Sequence, residues 1–160
     1  MRETDNRRLR GVTPLPDPAK PFDDQEPSVL LAMCIFGEAR GECDEGKLAV
    51  GCVVRNRVEC EGRYGTGFAG VILKPWQFSS FNANDPNRHK LLEPLKYESA
   101  AVWEACFAAA EAILEEDVED LTEGAVFYFG PPCCAPPKPW GDVVPTVKIG
   151  SLNFYGLEEE

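Results

Sequence analysis

At 160 residues and 44% hydrophobic content, the chain is long enough for one domain that buries roughly 68–70% of its unfolded surface without metals or disulfides. Its 27 acidic against 16 basic residues give a net charge of −11. That balance argues against a phosphate-reading nucleic-acid binder and against charge-driven adsorption to anionic membranes or polymers. No stretch reaches 18 consecutive apolar residues, so no transmembrane helix is expected.

Residues 1–27 are rich in proline and charge, with little to bury, and read as an extended leader that drapes over the domain or stays mobile. Ser28 is a reasonable N-cap for the apolar run that leads to Glu38. Leu31, Cys34, Ile35 and Glu38 recur at i, i+3, i+4 and i+7, which puts a carboxyl on an apolar helical stripe. Asp44 can cap a second helix over about 45–60, stopped by Gly62. "GFAGVILKP" (67–75) suggests a short third helix ended by Pro75. "WQFSSFNANDPNRHK" (76–90) is loop-like, with aromatics among Ser and Asn.

A long helix over about 97–117 follows, with Val102, Cys106, Ala109 and Ile113 as its stripe. After Gly124, "AVFYF" (125–129) reads as a strand. Residues 130–145 read as a proline-rich loop, and 146–156 as a hairpin or irregular strand pair. Several helices with a small late β element predict a predominantly helical α+β domain. Its expected extent is 28–156, and 157–160 reads as a solvated acidic tail.

Glu38 admits two readings. Burying its stripe would desolvate the carboxyl, raise its pKa and keep a proton ready for donation, as a general acid for glycoside cleavage requires. Alternatively it pairs with Arg40, Arg55 or Arg57 at the helix end. Asn56 lies on a stripe with Ala49, Cys52 and Val53, and a buried amide there must find partners. Gln77, Ser79, Ser80 and Asn82 offer polar groups suited to sugar hydroxyl and acetamido groups. Trp76, Phe78 and Phe81 offer flat faces for sugar rings, or tie a structural loop to the core.

The string from Gly37 to Glu42 ("GEARGE"), Glu45-Gly46, and the helix ending in Asn56-Arg57-Val58 resemble the cell wall hydrolase family typified by spore cortex-lytic enzymes. "PWQFSSFNANDPNR" (75–88) is similar to that family's Gln-Phe-Ser loop, and "IGSLNFYG" (149–156) to its closing segment. The resemblance covers about residues 28–156, in the family's order. It implies a lysozyme-like, lytic-transglycosylase-like fold, peptidoglycan as substrate, and cleavage between N-acetylmuramic acid and N-acetylglucosamine. The family's acid maps onto Glu38. Substrate contacts are expected from Glu42, Asn56, Trp76, Gln77, Phe78, Ser79, Tyr128 and Tyr155. Glu42 and Glu45 stand equally open to structural and functional roles, and Asp85, before Pro86, reads as a turn residue.

Two departures stand out. Many members carry a histidine near the late strand and another before the closing Phe-Tyr, where this chain has "GAVFYF" (124–129) and Asn153. Any role needing imidazole there is in doubt.

The cysteines at 34, 43, 52, 60, 106, 133 and 134 show no metal-ligand spacing, and His89 is the lone histidine. No metal or cofactor is expected. Cys34, Cys52 and Cys106 read as small core hydrophobes. No signal sequence is recognisable, so synthesis in the cytosol with reduced thiols is expected. Action on the wall would then follow holin-type release, as for a phage endolysin, or lysis. The chain is expected to act as a monomer on peptidoglycan, without nucleic-acid or membrane partners.

Overall fold

Helix α1 spans Pro27–Ala39 and is apolar on every side, so it can be stable only at the centre of the molecule. Every residue from Val29 to Phe36 is 2% exposed or less. The computed structural model describes residues 13–75, 77–116, 118–130 and 141–157. Ser28 is not the cap. Proline is preorganised for the first helical position, and Pro27 takes it, with Glu26 as the cap residue.

Helices α2 (Asp44–Val58), α3 (Gly67–Ile72), α4 (Arg88–Leu92) and α5 (Ala100–Leu114) surround α1. Helix α2 begins at Asp44, within the first turn and after Cys43, and ends at Val58, short of Gly62. Its Gly51 allows a close crossing: a β-carbon there would stand 2.7 Å from Cγ1 of Ile113 on α5. Helix α5 is shorter than its alanine-rich composition predicts. Pro94–Lys96 forms a separate 3-10 turn before it, and Glu116, at φ +59°, turns the chain left-handed just after it. Trp103 of α5 meets Phe36 edge-on at 6.1 Å. Each such fully buried large side chain contributes about 1.5–3 kcal/mol through removal from water.

The late β element is a three-stranded antiparallel sheet of β1 (Phe127–Phe129), β2 (Val143–Ile149) and β3 (Leu152–Leu157), in the order β1-β3-β2. On β3 the residues Leu152, Phe154 and Gly156 are buried while their neighbours are half-buried, the two-residue period of a sheet with one face on a core. Phe127 pairs with Tyr155, Tyr128 with Phe154 and Phe129 with Asn153. Pro145 is accommodated on edge strand β2, beside a bulge between Pro145 and Lys148. The architecture is the helical α+β domain that the sequence predicts.

Residues 13–26 lie against the helices. The Trp103 indole donates to the carbonyl of Pro14 at 2.9 Å, and Phe22 packs edge-on against Phe81 at 4.9 Å. Gln25 folds this segment on itself, accepting from the Asp17 amide (3.0 Å) and donating to the carbonyls of Asp17 (2.8 Å) and Lys20 (3.1 Å). Residues 1–12 of the expected leader and the tail residues 158–160 lie outside the described residues. Cys34, Cys52 and Cys106 are buried free thiols, and Cys43 is an exposed one. Burial pushes the Cys106 thiol up to about 12. Cys133 and Cys134 lie outside the described residues.

Candidate active site

Glu38 sits in the last turn of α1, one residue before the helix ends, and its carboxyl is turned toward the sheet. The Tyr128 hydroxyl on β1 donates a hydrogen bond to its Oε1. Burial raises the Glu38 pKa above the ordinary carboxyl value. The Tyr128 bond and the Arg57 charge draw it down and the Asp85 charge adds to the rise, but desolvation is the largest effect and decides the direction. Tyr128 is itself held well above its usual pKa, first by burial and then by the Glu38 charge, so it stays a phenol and remains a donor.

Arg57 is the residue that sequence reasoning left out of the site. It is 6% exposed on α2, and its guanidinium lies 5.0 Å from the ring centre of Phe78 and 5.5 Å from those of Tyr64 and Phe127. Its Nε donates to the Val126 carbonyl at 2.7 Å, and one terminal nitrogen approaches Oε1 of Gln77 at 3.5 Å. The residue therefore joins α2 to the segment entering β1 and to the Gln-Phe-Ser loop. A cation on three ring faces is a stable buried arrangement, and guanidinium suits it better than ammonium. The signal was present in Asn56-Arg57-Val58, but only as a pattern.

The other expected contacts separate into two groups. Gln77 and Ser79 are exposed beside this centre, whereas Phe78 is 2% exposed and serves as a floor under Arg57. The 3-10 turn Ser79–Phe81 lies against α1 at Gly37, where an added β-carbon would come within 3.0 Å of the Ser80 hydroxyl. Tyr155 stacks on Phe129 at 5.4 Å and helps line a cavity of about 260 Å³ with Pro145, Lys148, Asn153 and Phe154. Phe154 in turn packs on Tyr128 at 5.7 Å, so that cavity adjoins the residue bonded to Glu38. Trp76 lies outside the described residues.

Asn56 and Glu42 are engaged elsewhere. The Asn56 amide nitrogen donates to the Asp120 carboxylate at 2.8 Å, the Ala125 carbonyl at 2.8 Å and the Thr122 hydroxyl at 3.3 Å. Asp120 also accepts from the Thr122 hydroxyl and from the amides of Thr122 and Gly124, and these bonds, with that from Asn56, outweigh its desolvation and hold its pKa below the ordinary value. This is a loop lock, and it leaves the amide nitrogen no proton for a sugar. Glu42 accepts from the Ser151 hydroxyl (2.7 Å) and the Ser151 amide (3.1 Å) across the β2–β3 turn. Asp85 is a turn residue, its Oδ1 accepting from the Asn87 amide at 2.8 Å, yet its charge also reaches Glu38.

The arrangement can present one desolvated carboxyl whose Oε1 is held by a phenol, beside a buried cation and exposed amide and hydroxyl groups. Comparison with known proteins shows the family and the fold of the chain. Residues 41–155 match the cell wall hydrolase family, a span that begins three residues after Glu38. The spore cortex-lytic enzyme of Bacillus subtilis (strain 168) is 31% identical over 113 residues, which is 70% of this chain and 32% of that protein. The match thus spans about a third of that relative's length. The catalytic domain of the Bacillus cereus SleB protein superposes with a TM-score of 0.55 at 25% identity, over 80% of this chain and 88% of that one. The catalytic domain of the germination-specific lytic transglycosylase SleB of Bacillus anthracis shares the fold, with a TM-score of 0.58 at 23% identity over 88% and 99% of the two chains.

Proposed function

The chain belongs to the cell wall hydrolase family, and on that premise we propose that it cleaves peptidoglycan glycan strands with Glu38 as the acid. The bond cut is that between N-acetylmuramic acid and N-acetylglucosamine. The observation that carries this reading is the Glu38–Tyr128 pair: a carboxyl with a raised pKa, held through Oε1, whose Oε2 has no hydrogen bond among the described residues and can carry a proton. Glu38 gives that proton to the glycosidic oxygen as the C1–O bond breaks. The resulting carboxylate then takes a proton from the muramyl 6-hydroxyl, whose oxygen closes on C1 to form a 1,6-anhydro ring. No water is consumed, and the glutamate is returned to its protonated state.

This single-carboxyl route is favoured because Glu42 is committed to Ser151. Gln77 and Ser79 supply contacts to hydroxyl and acetamido groups, and Tyr155 supplies a ring face. A second reading, hydrolysis, draws support from Asp85, the other carboxylate whose charge reaches Glu38. A retaining mechanism needs its carboxyls about 5–5.5 Å apart, and an inverting one about 6.5–9.5 Å.

Mass spectrometry of muropeptides released from purified sacculi separates the two. Anhydro-muramyl ends are the expected product, and reducing ends would transfer the assignment to hydrolysis with Asp85. With Glu38→Gln, clearing of murein is expected to vanish while binding to sacculi persists. A Gln variant that still clears murein would end the proposal.

A further inference from the structure

Glu42 follows Glu38 by four residues, but the helix stops at Ala39 and the two side chains have separate partners. Both carboxylate oxygens of Glu42 accept from Ser151: Oε2 from the hydroxyl and Oε1 from the amide. The backbone of Glu42 is fixed as well. Its amide donates to the Ala39 carbonyl at 2.9 Å, and its carbonyl accepts from the ammonium of Lys47, a lysine only 5% exposed on α2. The turn is shaped around this carboxylate. Gly150 has φ +59°, and a β-carbon there would lie 2.7 Å from Oε1 of Glu42.

We propose that Glu42 is a positioning residue, clamping the β2–β3 turn onto the end of α1 and so fixing where Tyr128 meets Glu38. The connection is short. Ser151 directly precedes β3; three residues on, Phe154 pairs with Tyr128 in register and packs against its ring. The sheet is thus anchored at Ser151 by Glu42 and reaches Glu38 at Tyr128, two contacts that bracket the C-terminal end of one helix. The inference rests on Glu38 as the proposed acid, and it replaces the expectation of Glu42 as a sugar ligand or second catalytic carboxylate.

The groups facing Glu38 are Tyr128 from β1, Arg57 from α2, Asp85 from the loop before α4 and Cys34 one turn back on α1. Substitutions at 42, 150 and 151 alter none of these directly. The test is the Glu38 carboxyl titration followed by carbon-detected NMR, assigned through Glu38→Gln. Tyr128→Phe removes a donated hydrogen bond and is expected to raise the midpoint. Glu42→Ala is expected to raise it too, and to add little in the Tyr128→Phe background. Glu42→Gln keeps an oxygen for Ser151 and is expected to stay near wild type.

A folded Glu42→Ala protein with an unshifted midpoint, or with a shift fully additive to that of Tyr128→Phe, overturns the proposal. If Glu42→Ala fails to fold, Ser151→Ala, which removes only the hydroxyl bond, disturbs the same clamp more gently and is expected to shift the midpoint upward. The titration needs no murein cleavage, so it stands or falls separately from the activity. Loss of clearing in Glu42→Gln as complete as in Glu38→Gln would instead make Glu42 a chemical participant and overturn the positioning role.

Discussion

Gly37 and Ser80 are so close that a methyl group on Gly37 would stand 3.0 Å from the Ser80 hydroxyl and 3.1 Å from Leu91. The absence of a side chain on α1, one residue before Glu38, lets the Gln-Phe-Ser loop lie directly on the helix that carries the proposed acid. Gly37→Ala should gain up to about 1 kcal/mol in helix propensity and yet push the loop away by tenths of an ångström. Misplacement of about 1 Å can cost a hundredfold in rate, so a roughly tenfold loss of murein clearing is expected with little change in melting temperature. Equal activity in the two proteins would mean that loop position does not limit turnover.

Arg57 predicts a paired effect on stability and titration. Arg57→Met keeps much of the apolar bulk but leaves the Val126 carbonyl without its donor, at a cost of about 1–3 kcal/mol. A fall of several degrees in the thermal midpoint should follow. Because the Arg57 charge draws the Glu38 pKa down, its removal should also move that pKa upward. Arg57→Lys should retain part of the electrostatic effect and lose most of the ring contacts. A Met variant that melts with wild type would show that the guanidinium contributes nothing net.

The raised Glu38 pKa has opposite consequences for activity and stability. As an acid it must be protonated, so clearing should fall as pH rises through its folded-state pKa. Below the ordinary carboxyl value of 4.5 the group is protonated folded or unfolded and costs nothing; as pH climbs through the raised pKa, ionising it in a buried site destabilises the fold. Glu38→Gln should therefore be more stable than wild type near neutral pH, and this advantage should shrink toward pH 4.5. Denaturant melts at several pH values would detect it, and a pH-independent difference would contradict the burial argument.

Net charge of −11 sets a salt dependence. If the substrate is the anionic wall, like charges oppose encounter at low ionic strength and are screened as salt rises, the Debye length being about 10 Å at 0.1 M. Clearing should first increase with moderate salt or divalent cations. A steady decline from the lowest ionic strength would show that local positive charge, not the net field, governs adsorption.

The legible parts of the structure were those set by local pattern. The apolar run before Glu38, the Gly-Pro punctuation around α3 and the alternation in β3 each specify an element through neighbours a few residues apart. The carboxyl on the stripe was equally readable, because a helix with no polar face must bury whatever it carries. Helix ends shifted by up to three residues where a proline or a left-handed residue decided the boundary, as at Pro27 and Glu116.

The partners of Asn56, Glu42 and Arg57 were not legible, because they come from distant parts of the chain. Asn56 shares a helical stripe with Ala49, Cys52 and Val53, but its partner Asp120 lies 64 residues away and nothing near Asn56 announces it. Arginine on a helix usually points to solvent, and only the convergence of Tyr64, Phe78 and Phe127 makes Arg57 an interior cation.

Tyr128 reaches back 90 residues to Glu38, and Ser151 reaches back 109 to Glu42. Contacts of that span close late, since the intervening chain must give up its loop entropy before they form. On that loop-entropy argument the Tyr128–Glu38 bond is expected to close after the first helices have packed. In the proposed mechanism the acid is therefore armed by the completion of folding, and an unfinished chain carries the glutamate without the surroundings that fit it for catalysis.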